Sequence, residues 1–438
     1  MCKKLRLTLS KLACSKNQWL ALILLLNSSF VLADKPVLED QQSLDLNTAV
    51  QHTLQHNPQF HQFTFTRQQL LAQRQTSNLQ PGFALGVEVE NIAGSGEVAG
   101  VDGAELTVAL SSVIEMGNKL QSRVNAVNAE LDTFKFKRQA TTLDVLGELT
   151  RAFVQLLSTQ EQLKLAAEAV SLSQSLLNTV QTRAQRGAVS DAEVLRAQAL
   201  LAQSKIQRHN LAQLRDRQQV SLAQFWGQTE ITFNNVEGNL FDFGQSQSFK
   251  QLYTKVQKSP GMSVFASGVR LKEAEVRLAQ TQNHGDVSWQ IGARRFQASK
   301  DAGLTLGVSM PLWSASRNRG AVDEARSARD AVEVKREQQL LQLHDQLFTA
   351  YSQRQQFISA YEQLTSQVIP LLEKALRVTR DAYDRGRLNY QDWIAAQQEL
   401  LSAKQQRIET ATQALLNQAT IEQLSGEPLN LAPQNTIN

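Results

Sequence analysis

The sequence predicts a mainly α-helical protein with a small β part, assembled from one structural unit that occurs twice. Three observations support this fold class. Residues 118–186 contain no proline and a single glycine, and apolar residues recur there every seven positions. Four short segments alternate between apolar residues and polar or small ones. The stretch "QRGAVSDAEVLRAQALL" at 185–201 resembles "DRGRLNYQDWIAAQQELL" at 384–401, which predicts an internal repeat.

Residues 1–33 have the composition of a secretory signal peptide. Basic residues precede the apolar run "WLALILLL" (19–26), which is too short for a stable membrane anchor, and a cleavage site follows Ala33. Without this leader the 45 Lys and Arg fall to 40 against 41 Asp and Glu, so the pI of 9.0 does not indicate a nucleic-acid partner. Cys2 and Cys14 lie in the leader, so we expect the mature chain to have no disulfide and no cysteine-based site.

The region 118–186 predicts one helix of about 100 Å that packs as a coiled coil. Further helices are expected over 189–226, 319–369, 371–385 and 389–424. Pro370 is expected to break or kink the helical path between the second and third of these. After the leader, no stretch reaches the roughly 18 apolar residues of a membrane-spanning helix.

The alternating segments predict strands over 83–91, 104–112, 286–296 and 303–313. An apolar face opposite a small or polar face suits a transmembrane β-barrel. Four strands cannot close one, and open strand edges are not tolerated in lipid. Two chains would give eight strands and three would give twelve. We favour a trimer with a 12-stranded barrel, a water-filled lumen and a hollow α-helical cylinder in the periplasm.

The domain boundaries follow from the repeat. The first repeat is predicted over 34–235, with strands at about 83–112 and a helical tip at about 183–191. The second is predicted over 236–438, with strands at about 286–313 and a tip at about 383–392. A loop "GSGEVAG" (94–100) joins two strands and opens no helix, so it is not interpreted as a dinucleotide-binding loop.

Several stretches occur in the order and spacing of a known family. They are "LDLNTAVQHTLQHNPQF" (44–60), "GVEVENIAGSG" (86–96), "SSVIEMGNK" (111–119, where Val113 replaces a proline), "FWGQTEITFNNVEGNL" (225–240) and "GARRF" followed by "MPLWSASRNRG" (310–320). On these stretches the chain resembles the TolC-like outer-membrane efflux proteins. It is most similar to their heavy-metal branch, the CzcC-like subunits of cation efflux systems.

The resemblance implies a homotrimer in the outer-membrane lipid of a Gram-negative bacterium, with a large periplasmic part. It implies a passive exit duct for heavy-metal cations in a tripartite system, with a periplasmic adaptor (membrane fusion) protein and an inner-membrane RND pump as partners. No enzymatic activity and no cofactor are expected. Three alternatives stay open: the same channel exporting drugs or secreted polypeptides, a soluble periplasmic coiled-coil scaffold, and an exported enzyme.

The two tips are the main candidate functional residues. Gly187 and Gly386 are expected to supply left-handed turns, and Val189 and Leu388 to present apolar side chains at the exposed ends. Ser190 and Asn389 are expected to cap the returning helices. In the family that the chain resembles, these turns dock the adaptor. The alternative interpretation is a pair of ordinary helix turns.

Three further sets are weaker candidates. Residues expected near a closed aperture are Arg183, Asp191, Arg380, Asp384 and Arg385, which could equally be a solvated helix end. Residues expected to face the lumen are Glu88, Glu90 and Arg294. His52 and His56 have the i, i+4 spacing that can hold a divalent cation, but no nearby carboxylate completes a site. We therefore predict no resident metal and interpret these histidines as a solvated helix face.

Overall fold

A computed structural model describes residues 41–427. The expectations for the leader, for 34–40 and for 428–438 lie outside the described residues. The helices are α1 (Leu46–His56), α2 (Pro58–Ser77), α3 (Lys119–Gln185), α4 (Asp191–Ala223), α5 (Phe249–Gln257), α6 (Pro260–Thr281), α7 (Ser314–Arg317), α8 (Arg319–Gln363), α9 (Ile369–Asp384) and α10 (Tyr390–Ser425). The strands are β1 (Gln41–Asp45), β2 (Ala84–Glu90), β3 (Glu105–Ile114), β4 (Phe233–Glu237), β5 (Val287–Phe296) and β6 (Ala302–Ser309).

The long helix and the four alternating strands are confirmed. Helix α3 has 67 residues, and its ends differ from the predicted range by one position each. The sequence interpretation missed α5, α6 and the small β1–β4 sheet. Ser259 followed by Pro260 is an N-cap and first-turn signal that could have predicted α6.

The four predicted strands form one antiparallel sheet in the order β2–β3–β5–β6. The central β3–β5 pairing joins the two hairpins into a continuous surface. One row across the sheet is Val87–Val108–Ala293–Leu304, and the adjacent row is Glu88–Thr107–Arg294–Gly303. Because successive strand residues point to opposite sides, the first row belongs to an apolar face and the second to a polar face.

The helices pack as a layer with two free edges. Helices α2 and α4 pack against α3, which in turn contacts α6 and α10. Helix α8 packs on α6 and α10, and α9 packs on α10. Within residues 41–427, neither α2 nor α4 packs along α8 or α9. The α2/α4 edge exposes Phe65, Leu195 and Ile206, and the α8/α9 edge exposes Val334, Leu341, Phe348, Leu371 and Val378.

Pro370 was expected to break or kink the helical path; the break is wrong, because the path continues, and the kink stays a prediction. A π-helical turn over Leu364–Val368 joins α8 to α9, and Pro370 occupies the first turn of α9. A proline lacks the N–H that an α-helix interior needs, and the wider turn upstream shifts the hydrogen-bond register there. The chain therefore stays helical from Arg319 to Asp384.

Candidate functional site: two helical tips and the polar face of the sheet

The two tips end their helices with the same hydrogen-bond pattern. At the first, the N–H of Gly187 donates to the carbonyl of Ala184 (2.8 Å) and the N–H of Ala188 to that of Arg183 (2.9 Å). At the second, the N–H of Gly386 donates to Tyr383 and that of Arg387 to Ala382, both at 2.9 Å. This pair of bonds is the Schellman motif. It requires a left-handed residue, and φ is +70° at Gly187 and +71° at Gly386.

The starts of the two returning helices differ. Asn389 forms a capping box, in which its Oδ1 accepts from the Asp392 N–H (3.0 Å) and its own N–H donates to Asp392 Oδ2 (3.1 Å). Ser190 is the N-cap residue of α4, as predicted, but its side chain makes no cap hydrogen bond. Its partner in a capping box would be Glu193, and the Glu193 Oε2 atom is instead buried without a hydrogen-bond partner.

An apolar cluster, here called the tip core, holds the two hairpins together. Its buried members are Leu176, Leu177, Val180, Ala197, Leu201, Tyr383, Tyr390 and Trp393. Val189 packs against this cluster and is only partly exposed, so the expectation that it projects from the tip is wrong. Leu388 remains 40% exposed. The two tips therefore differ. At the first, Val189 packs onto the tip core, whereas at the second the Leu388 side chain is exposed.

Three buried polar atoms in or beside the tip core lack hydrogen-bond partners among the described residues. They are the hydroxyls of Tyr383 and Tyr390 and Oε2 of Glu193. Burial raises the pKa of Tyr383 above its ordinary value, and the Glu193 carboxylate adds to the shift. Burial likewise raises the pKa of Tyr390. Sequence reasoning missed all three residues, because only the fold brings Glu193 next to the second hairpin.

A groove of about 340 Å³ lies beside this cluster, between α4 and α10. Its lining includes Arg196, Gln203 and Tyr390. Buried polar groups without partners are uncommon in proteins and need an explanation such as an absent ligand or partner. The groove and the unpartnered atoms together mark this end of the molecule as a candidate contact surface.

Of the aperture candidates, only Arg183 is brought to the other hairpin. Its guanidinium donates to the Tyr383 carbonyl and lies 4.5 Å from the centre of the Tyr383 ring. Asp191, Arg380, Asp384 and Arg385 are exposed. They take part in no ion pair within the described part of the chain. Arg183 of the first tip therefore contacts Tyr383 of the second tip within one chain.

The lumen candidates lie together on the polar face of the sheet. Arg294 forms ion pairs with Glu90 (2.8 Å) and with Glu105 (2.9 Å), and its Nε donates to the Thr107 hydroxyl (2.9 Å). Glu88 lies opposite Thr107 in the same row. Sequence reasoning missed Glu105, which pairs with Glu90 in the strand register. Three carboxylates and one guanidinium give this end of the face a net negative charge.

The candidate histidines lie against an aromatic residue. The His52 ring lies edge-on at 6.0 Å from the Trp226 ring and 6.5 Å from the His56 ring. Burial lowers the pKa of His52, and the neighbouring His56 lowers it further. Among residues 41–427, no three His, Cys, Asp or Glu side chains are grouped so as to hold a metal ion. His52 is half-buried whereas His56 is exposed, so the predicted solvated face is wrong for His52 and holds for His56.

Comparison with known proteins decides the family. The profile of the family described as outer membrane efflux protein matches residues 49–228 and 252–427. The chain belongs to this family. The cobalt-zinc-cadmium resistance protein CzcC of Cupriavidus metallidurans is 22% identical over 324 residues, covering 73% of this chain and 77% of CzcC.

Solved structures share the fold. A membrane protein from Pseudomonas aeruginosa superposes with a TM-score of 0.73 at 13% identity, covering 90% of this chain and 92% of that one. CusC has a TM-score of 0.73 at 14% identity, with 89% and 94% covered. The resemblance seen in the sequence is thus confirmed.

Family membership assigns the location and class of this outer membrane efflux protein. It is a transport conduit of the outer membrane with a large periplasmic part, and it is not an enzyme. Across residues 41–427, none of the helices has the length and apolar character needed to span a bilayer.

Proposed function

We propose that the chain is one subunit of a homotrimeric channel that serves as the passive exit duct of a tripartite efflux system for heavy-metal cations. The observation that carries this proposal is the four-stranded sheet with two unpaired edges, β2 and β6. Its apolar face is exposed in the single chain: Leu85, Leu304 and Leu306 are 72%, 88% and 78% accessible. Such a sheet suits lipid on one side and needs neighbours at both edges.

Head-to-tail association satisfies both edges. Because neighbouring strands alternate in direction, β6 of one copy runs antiparallel to β2 of the next. Helices α2 and α4 lie on the β2 side of the fold and α8 on the β6 side, so the helical edges meet in the same ring. Three copies give twelve strands, a number wide enough for a lumen. The two separate stretches that the family profile matches, 49–228 and 252–427, support the proposed division into the repeats 34–235 and 236–438.

The tips are the proposed docking site for a periplasmic adaptor. Each chain offers two similar ends, so a trimer offers six. The groove beside Tyr390, which Arg196 and Gln203 also line, supports a polar partner surface there. An inner-membrane pump would supply the energy, because a conduit of this kind couples none itself.

The proposed cargo rests on the printed name of CzcC and on charge. The polar face carries Glu88, Glu90 and Glu105 against the single Arg294. A lumen lined by excess carboxylates favours cations, and dispersed carboxylates bind them weakly enough to let them pass.

The test of this function combines metal tolerance with fractionation. A strain lacking the gene should lose tolerance to cobalt, zinc, cadmium, copper or silver, and the protein should be found in the outer membrane. Unchanged tolerance with an outer-membrane protein would move the cargo to drugs or polypeptides. A periplasmic protein extracted without detergent would overturn the channel.

The docking role is tested at the glycines. Gly187→Val with Gly386→Val should abolish crosslinking to the adaptor while trimers persist, because valine disfavours the left-handed turns. Gly320→Val is the control: no atom lies within 4 Å of its added Cβ and its φ is not positive. Undiminished crosslinking in the tip variant would reject the docking role.

A further inference from the structure

Arg295 is the one charged side chain on the apolar face of the described sheet. The register places it in a row with Leu106 on β3 and Ala302 on β6. The other members of that face along β5 are Val287, Trp289, Ile291 and Ala293. Arg295 is exposed. A charge at this position needs an explanation, because lipid-facing charges destabilise a barrel most at mid-membrane and least at its interfaces.

Its neighbour Arg294 provides the contrast. Arg294 points to the polar face, where Glu90 and Glu105 both pair with it. Arg295 forms no ion pair within residues 41–427. The two carboxylates closest in register are therefore already engaged on the opposite side of the sheet. The Arg295 guanidinium has its five donors available to a group outside the protein.

The position of Arg295 along β5 places it at a membrane boundary. Eight residues separate it from Val287, which is about 26 Å along the strand and about 20 Å across the membrane at a tilt of about 40°. This is close to the height of about 25 Å expected for the apolar band of an outer-membrane barrel. At the other end of the face, the rings of Phe83 and Trp289 lie 6.2 Å apart, as in an interfacial aromatic girdle.

The helices identify which boundary this is. α3 and α8 begin at the Val287 end of the sheet, and the loops 91–104 and 297–301 lie at the Arg295 end. Since the helical part is periplasmic, Arg295 lies at the outer leaflet. In Gram-negative bacteria that leaflet is lipopolysaccharide, whose lipid A portion carries phosphate groups.

We propose that Arg295 binds the lipid A phosphates of lipopolysaccharide at the outer rim of the sheet. The inference rests on the transmembrane barrel of the proposed function. A planar guanidinium matches a phosphate with two parallel hydrogen bonds. On the same face, Leu106 lies beside Arg295 in its row, and Leu304 and Leu306 lie below it, where the acyl chains of that lipid run. The site thus combines a phosphate donor with an apolar surface.

The test is native mass spectrometry of the detergent-purified full chain with lipid A. Wild type should retain bisphosphorylated lipid A, and Arg295→Ala should weaken binding about tenfold, as expected for a lost charge-assisted pair. Removing the phosphates from lipid A should weaken its binding to wild type at least as much as Arg295→Ala weakens the binding of bisphosphorylated lipid A. Arg295→Lys should keep part of the affinity. Lys300→Ala, which removes an exposed cation from the loop after β5, should change little.

Several results would overturn the inference. Equal binding of lipid A to wild type and Arg295→Ala is one, and equal loss in Lys300→Ala is another, since that would indicate diffuse surface charge. Displacement of lipid A by millimolar inorganic phosphate would assign the site to free phosphate. Electrophoresis without heating shows whether the chain is a trimer, and this result separates the trimer proposal from the Arg295 proposal. Trimers without lipid discrimination contradict only the Arg295 site, whereas a monomer that retains lipid A contradicts only the trimer.

Discussion

At the scale of single residues, Glu422 is a buried acid whose protonation is coupled to folding. It lies near the end of α10, is 8% exposed, and accepts a hydrogen bond from Gln418 Nε2 at 2.5 Å. Its pKa is raised from 4.5 to about 7, and burial is the largest cause of this net shift. The Glu427 charge raises it further, while the hydrogen bond from Gln418 and the charge of Arg354 oppose the shift. Lys255 engages Glu427 in an ion pair.

The direction of the pH effect follows from this shift. A raised pKa means that the folded state favours the protonated acid. The protonated Glu422 carboxyl therefore stabilises the folded state fully below about pH 4.5. This stabilisation falls as pH rises towards 7 and is absent above it. Glu422→Gln should remove this dependence and raise the free energy of unfolding at pH 8 by up to about 3 kcal/mol. Urea unfolding in detergent between pH 5 and 8 measures it, with exposed Glu148→Gln as the control. Parallel pH profiles for wild type and Glu422→Gln would exclude Glu422 as the source.

At the scale of elements, one ion pair joins the helices to the sheet. Lys119 begins α3, is 4% exposed, and pairs with Asp286, the residue before β5, at 2.7 Å. Asp286 also accepts from the Met116 N–H at 3.0 Å. The pair links segments that are 167 positions apart in the chain. It fixes the start of the first long helix, which leaves the first hairpin, against the start of the second hairpin.

Asp286→Ala should destabilise the protein by about 3 kcal/mol, because it leaves the Lys119 ammonium buried without a partner. Asp323→Ala is the matched control. It removes an exposed pair with Arg326 at 3.5 Å, which should cost less than about 1 kcal/mol. Denaturant midpoints of the two variants provide the comparison. Similar losses for both would mean that burial of Lys119 is not what matters.

Elements with local signals were predictable, and their assembly was not. The heptads of α3 and the alternation of β2 are patterns of residues close together in the sequence. The bounds of both elements were therefore predicted to within a few positions. Contacts between segments far apart in the chain were not predictable in this way. They determine the β3–β5 pairing, the burial of Val189 and the burial of the Glu193 carboxylate. Pro370 is a local signal for a helix break, but with the π-helical turn before it the chain stays helical there.

The same limit applied to the candidate site. Gly187 and Gly386 follow from turn chemistry, which one short stretch displays. The bonds between Arg294 and Glu105 and between Arg183 and Tyr383 each join residues from the two halves of the chain. No spacing rule reveals such pairs in a single sequence. The pair of His52 and His56 had a correct helical spacing, but the position of Trp226 decided its surroundings.

At the scale of the whole molecule, closure of the ring is testable at the helical edges. Leu195 lies about 6 Å from the start of α4 and Val378 about 9 Å from the end of α9, so both are near the tips on opposite edges. They are 64% and 60% exposed. With no cysteine expected in the mature chain, Leu195→Cys with Val378→Cys and a short bismaleimide should give covalent trimers on denaturing gels. Each single variant should stay monomeric. Monomers alone from the double variant would contradict head-to-tail closure.

The central strand pairing also governs when the molecule can fold. Thr107 and Arg294, hydrogen-bonded at 2.9 Å, are 187 residues apart in the chain. The first hairpin is therefore synthesised well before its partner strand exists. At about 5–20 residues per second, that interval lasts on the order of 10 to 40 seconds. Pairings of such long range form slowly and leave strand edges open to aggregation. Residues 84–114 therefore keep an unpaired strand edge until the second half of the chain is present.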